Sequence, residues 1–141
     1  MGAFNQNRQD ANVTSAAIAL PAASSTTVNS ASIDLNSVAG AFHETVEFAV
    51  VSSSATLDST ALPNGETIIY TIEQSTDDST FTALNVISSV QMTGAGGVGD
   101  AANEDRWRAP STVSRYIRLS SVTSGSSGDC SAATRQLKVM F

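Results

Sequence analysis

The chain is poor in the residues that build reaction centres. Among its 141 residues are one cysteine, one histidine, one lysine and one tryptophan. Cys130 alone can form neither an internal disulfide nor a thiolate zinc site. His43 would have to serve any Ser-His-Asp arrangement, and no Gly-x-Ser-x-Gly elbow offers it a nucleophile. Lys138 is the lone lysine, the net charge is −6 and the pI is near 4.4. General nucleic-acid binding draws its affinity from cations that neutralise phosphates, so that class is excluded. Long apolar runs are missing as well, which removes a membrane-spanning helix. No window of eleven or more residues carries apolar positions at i, i+3, i+4 and i+7, and Pro21 interrupts the Ala-rich stretch 16–23, so helix is not expected. The first ten residues hold no basic stretch followed by an apolar core, and no secretory leader is expected.

What the chain does have is serine and threonine, 37 residues together, with Val and Ile in short runs between Gly, Ser, Asn and Asp. That composition favours strands. The clearest is Tyr70-Thr-Ile-Glu-Gln-Ser-Thr-Asp-Asp-Ser-Thr-Phe81. Ile68, Tyr70 and Ile72 alternate with Thr67, Thr71 and Glu73, a period of two that sends one set inward and the other to water. The Asp and Ser side chains of 75–80 can bond their own backbone and close a hairpin before a return strand from Phe81. Leu62-Pro-Asn-Gly65 is a second turn signal.

Further strands are expected over 14–20, 26–35, 42–51, 81–90, 104–108, 114–122 and 134–141. In 42–51 the parity of Phe42, Glu44, Val46, Phe48 and Val50 reads as core; in 134–141 Arg135, Leu137, Val139 and Phe141 share one face. For 81–90 the inner parity stays open, since a bulge can switch it. Residues 93–99 and 124–129 read as flexible tips. The resulting fold class is all-β: a two-sheet antiparallel β-sandwich, jelly-roll or immunoglobulin-like, with an extended N-terminal arm. Residues 1–12 are read as that flexible arm and 13–141 as one domain, with 13–35 able to belong to an extended segment that contacts a neighbour.

Chemistry is scarce along this text. The glycine-rich stretch 93–99 has neither the following helix nor the lysine of a phosphate cradle. Asp77-Asp78 lacks the spaced oxygen ligands and distal Glu of a calcium loop. Glu44, Glu47, Glu66 and Glu73 could be paired on paper for sugar hydrolysis, as in any acidic β-rich chain. No catalytic, cofactor or metal residues are therefore assigned, and the chain is read as non-enzymatic. The partner-binding candidates are Phe4 and Arg8 on the arm and the strand Arg106-Trp107-Arg108. If Trp107 points inward it anchors the core and both arginines face out; if outward, it is a contact residue of the kind enriched at binding hot spots.

Several segments together resemble the head decoration or cement proteins of tailed bacteriophages. They are Ala19-Leu-Pro-Ala22, the Ser75 to Phe81 strand end, the Thr93-Gly-Ala-Gly-Gly97 loop, and Arg115-Tyr-Ile-Arg118. The resemblance implies a β-sandwich on the outer surface of a capsid, partnered by the major capsid protein and by copies of itself, a trimer being favoured. Tyr70-Thr-Ile-Glu73 and Arg115-Tyr-Ile-Arg-Leu119 also resemble core strands of discoidin-like, galactose-binding jelly rolls. That likeness implies the alternative function, a carbohydrate-binding module on a virion or cell surface.

Overall fold

A computed structural model describes residues 9–35, 47–52, 57–84, 90–94 and 104–140. Eleven strands follow one another: β1 Gln9–Thr14, β2 Ile18–Ala19, β3 Thr27–Asn29, β4 Ile33–Asp34, β5 Glu47–Ser52, β6 Thr67–Ser75, β7 Thr82–Ala83, β8 Val90–Thr93, β9 Glu104–Arg108, β10 Tyr116–Thr123 and β11 Thr134–Met140. No α-helix occurs among the described residues.

The strands form two antiparallel sheets packed face to face. In the first, β1 and β2 both pair with one edge of β11, and β5 and β9 follow on the other side. In the second, β3 and β4 both pair with β10, then comes β6, whose far edge carries β7 and β8. Taking β1/β2, β3/β4 and β7/β8 each as one interrupted strand leaves four strands per sheet. Their pairing is nested: the first strand lies against the last, the second against the seventh, the third against the sixth, the fourth against the fifth. Nesting of this kind, with successive strands alternating between sheets except at the fourth-to-fifth hairpin, defines a jelly roll. It decides between the two sandwich topologies that the sequence left open.

The core lies between the sheets and follows the period of two. Ile68, Tyr70 and Ile72 of β6, Ile117 and Leu119 of β10, Phe48 and Val50 of β5, and Leu137 and Val139 of β11 are all buried. Fully burying one such side chain contributes about 1.5–3 kcal/mol before chain entropy is subtracted. Arg135 shares the inner parity of β11 and is only 3% exposed. Its guanidinium lies 4.7 Å from the centre of the Tyr70 ring, where the negative ring face favours a cation. Phe42, Glu44, Val46 and Phe141, read as inward-facing, lie outside the described residues.

Two serines explain why both first edges are interrupted yet stay attached. Ser15, between β1 and β2, donates its N–H to the Leu137 carbonyl at 2.9 Å, and its Oγ accepts the Leu137 N–H at 3.0 Å. Ser30, between β3 and β4, repeats the arrangement on the other sheet. Its N–H reaches the Leu119 carbonyl at 2.9 Å and its Oγ accepts the Leu119 N–H at 3.0 Å. Each hydroxyl replaces the main-chain carbonyl that a regular ladder would use, so the strand bends while the central strand's donor stays satisfied. The freed Ser15 carbonyl accepts Gln136 Nε2 at 2.9 Å.

The N-terminal expectations change accordingly. Gln9–Thr14, partly read as arm, is strand β1, although loosely registered: Gln9 faces Met140 and Thr14 faces Lys138, so the edge bulges between them. Residues 1–8 lie outside the described residues. The stretch 13–35, considered as an extended contact segment, supplies one edge of each sheet, because its apolar side chains Leu20, Ile33 and Leu35 find burial there.

One end of the sandwich gathers the loops 20–26, 57–66 and 124–133. Gly128 N–H donates to the Ala61 carbonyl at 2.8 Å, Gly94 N–H to the Glu66 carbonyl at 2.8 Å, and Cys130 N–H to the Pro21 carbonyl at 3.0 Å. A Cβ on Gly128 would collide with the Thr60 carbonyl oxygen. Gly94 and the tip 124–129, expected to be flexible, are thus pinned by main-chain bonds. Residues 95–99 lie outside the described residues.

Candidate functional site

Four carboxylates at the turns, Asp58, Glu66, Asp77 and Asp129, hold those turns. Asp77 Oδ1 accepts Thr80 N–H at 2.9 Å, Ser79 N–H at 3.0 Å and Ser75 Oγ at 2.8 Å. Those donors hold its carboxyl below the ordinary range, Thr80 most strongly. Asp58 is lowered first by the Ala61 N–H and then by Thr60, and Asp129 by Ser131. Glu66 accepts Ser124 Oγ, and Ser126 N–H at 3.3 Å, and its carboxyl is lowered chiefly by Ser124. A general acid needs the opposite shift, toward neutrality at working pH. Among the described residues no group of three His, Cys, Asp or Glu side chains could hold a metal ion. The Cys130 thiol is buried, donates to the Ala61 carbonyl at 3.2 Å, and is pushed up by burial and by Asp129. Such a thiol packs as a small apolar group rather than attacking as a thiolate. His43 and Glu44 lie outside the described residues.

Among the described residues, the surfaces that can meet a partner are the outer sheet faces and the loop end. On the first sheet, Trp107 stands opposite Phe48 in register and is half-buried against the core. Arg106 and Arg108 point to the outer face and are exposed. The reading of Trp107 as an inward anchor with outward arginines therefore describes this strand. Arg106 pairs across β5 with Ala49, which in turn pairs with Lys138, while Arg108 stands opposite Glu47. Three cations thus share one face. Lys138 was legible as outward-facing from the Arg135, Leu137, Val139 parity; its placement near Arg106 needed the β11–β5–β9 pairing, which no local pattern announces. Phe4 and Arg8 lie outside the described residues.

The outer face of the second sheet differs. Ile69 and Val122 are direct cross-strand partners and are 38% and 37% exposed. Thr27 stands beside Val122, Asn29 and Thr71 flank Ser120, and Thr67 stands beside Thr93. Charge appears only toward one end, where Arg118 pairs with Glu73 at 2.7 Å and Arg115 grips Asp34 through two bonds of 2.9 and 2.8 Å. Arg118 also lies 4.0 Å over the Phe81 ring. At the loop end, a hollow of about 430 Å³ opens between residues 57–61 and 128–132, with Asp58, Thr60 and Asp129 on its wall. No family model matches the chain, and no curated protein matches it.

Proposed function

We propose that the protein is a non-enzymatic structural component of a virion, binding the outer surface of a phage capsid and stabilising it as a decoration or cement protein. One observation carries the reading: among the described residues, Asp58, Glu66, Asp77 and Asp129 cap turns and Ser15 and Ser30 latch edges, while Arg106 and Arg108 stand exposed on an outer sheet face. The resemblance of the Ala19 to Ala22, Ser75 to Phe81 and Arg115 to Arg118 segments to phage decoration proteins supports it. The partner is then the major capsid protein, and binding energy accumulates over a lattice of repeated modest contacts. Arg106, Arg108 and Lys138 on the first sheet, together with residues 1–8, supply the contact to the shell.

The test is co-sedimentation with empty shells from the source phage. Saturation at a fixed number of copies per shell, reduced by deleting residues 1–8 or by Arg106→Glu with Arg108→Glu, is the expected result. Protein left in the supernatant at every concentration would remove the reading. A second reading, a carbohydrate-binding module, rests on the loop-end hollow with its Asp58, Thr60 and Asp129 oxygens. Saturable binding on a glycan panel, abolished by Asp129→Ala, would put that reading first.

A further inference from the structure

The chain holds one Asn-Gly step, Asn64-Gly65. Such a step is prone to lose its side-chain amide. The Gly65 main-chain nitrogen gives up its proton and attacks Asn64 Cγ, ammonia leaves with Nδ2, and a five-membered imide joins the two residues. Water then opens the imide at either carbonyl. Cleavage at the side-chain carbonyl leaves aspartate; cleavage at the main-chain carbonyl leaves isoaspartate, with an extra methylene in the backbone. Glycine favours the first step because it has no Cβ to crowd its nitrogen. Asn64 and Gly65 are both exposed, so water and base reach them.

The turn that carries the pair holds the reacting atoms apart. Glu66 donates its N–H to the Pro63 carbonyl at 3.0 Å, and Gly65, the third residue of that turn, lies at φ +86°. Asn64 has no positive φ. This is a type II turn, whose second residue, here Asn64, takes a ψ of about +120°. In an L residue that ψ sets the next nitrogen over Hα, and the imide ring closes only with that nitrogen over Cβ. The 64–65 peptide must therefore swing by about 120° before Gly65 N can reach Cγ. Two bonds oppose the swing: the turn's own, and the Gly65 N–H to the Gly94 carbonyl at 3.2 Å. Gly94 is fastened in turn by its N–H to the Glu66 carbonyl at 2.8 Å. It is buried, and a Cβ there would collide with the Leu62 and Pro63 carbonyls. We infer that Asn64 is a deamidation site that the Gly94 strap keeps shut. Reaction requires the 62–66 turn to open, and isoaspartate, once formed, lengthens the turn so that Glu66 N–H no longer meets the Pro63 carbonyl.

Peptide mapping of the full chain after incubation at mildly alkaline pH, folded and in unfolding urea, tests it. The folded chain should convert Asn64 at least about 10-fold more slowly, because opening gives up two main-chain bonds. Amide exchange at Gly65 and Glu66 measures the open fraction independently, and that fraction multiplied by the unfolded rate should return the folded rate. Gly94→Ala, whose methyl meets the Pro63 carbonyl, should raise both the open fraction and the conversion. Molecules that carry isoaspartate should keep fast exchange at Glu66. Circular dichroism reports whether the variant is folded, and the comparison of exchange with conversion stands without it. Equal rates in the folded and unfolded chain, or a folded rate that departs from the product, would overturn the inference. So would a folded Gly94→Ala that converts no faster, or isoaspartate molecules whose Glu66 exchange is as slow as the parent's. The inference rests on the turn alone and is independent of shell binding.

Discussion

Replacing Ser30 with alanine should destabilise the protein far more than its size suggests. The substitution removes one oxygen and leaves almost no cavity. It does remove the acceptor of the Leu119 N–H, 3.0 Å away on a central strand whose side chain is fully buried. A buried donor left without a partner costs about 1–3 kcal/mol. For a domain of this length each kcal/mol moves the melting temperature by about 3–5 °C. Ser15→Ala removes the matching acceptor of Leu137 and should cost the same. The two sites lie on different sheets and share no partner, so the double variant should lose about 2–6 kcal/mol, the sum of the two. Ser30→Thr keeps an oxygen at the same place and should recover most of the loss. Ser121 is the contrasting case: its Oγ is fully buried and has no hydrogen-bond partner among the described residues. Ser121→Ala should therefore be neutral or stabilising by up to about 1 kcal/mol. Urea unfolding followed by Trp107 fluorescence and circular dichroism measures all five variants. If Ser15→Ala and Ser30→Ala both stay within about 0.5 kcal/mol of the parent, the latches do not hold the edges and the reasoning fails.

Gly128→Ala should cost about 1–3 kcal/mol, because the added methyl meets the Thr60 carbonyl, a backbone atom that cannot swing aside; an unchanged urea midpoint would show that the 57–66 loop is not pinned there. Acid should weaken the fold in a defined window. Asp58, Asp77, Asp129 and Glu66 all have folded values below their ordinary ones, 3.8 for Asp and 4.5 for Glu. Their contribution is complete above those ordinary values and is lost as pH falls through the lower folded ones. Urea midpoints should decline below about pH 4 from these four groups, and a midpoint that rises on acidification would contradict the capping roles. Asp77→Ala should shorten this decline and loosen the 75–80 turn, read as faster amide exchange at Ser79 and Thr80, the two donors it now holds.

Much of the fold could be read in advance wherever alternation ran unbroken. The inward set Ile68, Tyr70 and Ile72, the inward pair Phe48 and Val50, and the shared face of Arg135, Leu137 and Val139 all appear as expected. Gly65, at φ +86°, takes the left-handed turn that Leu62-Pro-Asn-Gly announces. Legibility stopped where a side chain replaced a main-chain group. Across 26–35 one unbroken strand was expected; Ser30 is buried on one parity, and after it Ile33 and Leu35 are buried on the other. A serine that accepts a ladder bond and a serine that merely faces water have the same letter, so Ser15 and Ser30 gave no signal of their own. For 81–90, the register decides the parity within the described part: Ala83 stands opposite Glu73 and is exposed, while Leu84 is buried and donates its N–H to the carbonyl of inward Ile72. The interaction surfaces were half visible. Outward Arg106 and Arg108 followed from strand alternation, while the adjacency of Ile69 and Val122 depends on pairing across 53 positions of chain, which periodicity does not encode.

The decoration reading is tested most directly by melting empty shells in a calorimeter with and without saturating protein. Binding to the assembled shell alone must raise the shell's transition temperature by mass action, and the rise must grow with protein concentration until the sites are full. The account predicts that rise, reduced by Arg106→Glu with Arg108→Glu and by removal of residues 1–8. A shell transition that stays in place at every concentration, with the folded protein melting separately, would contradict it.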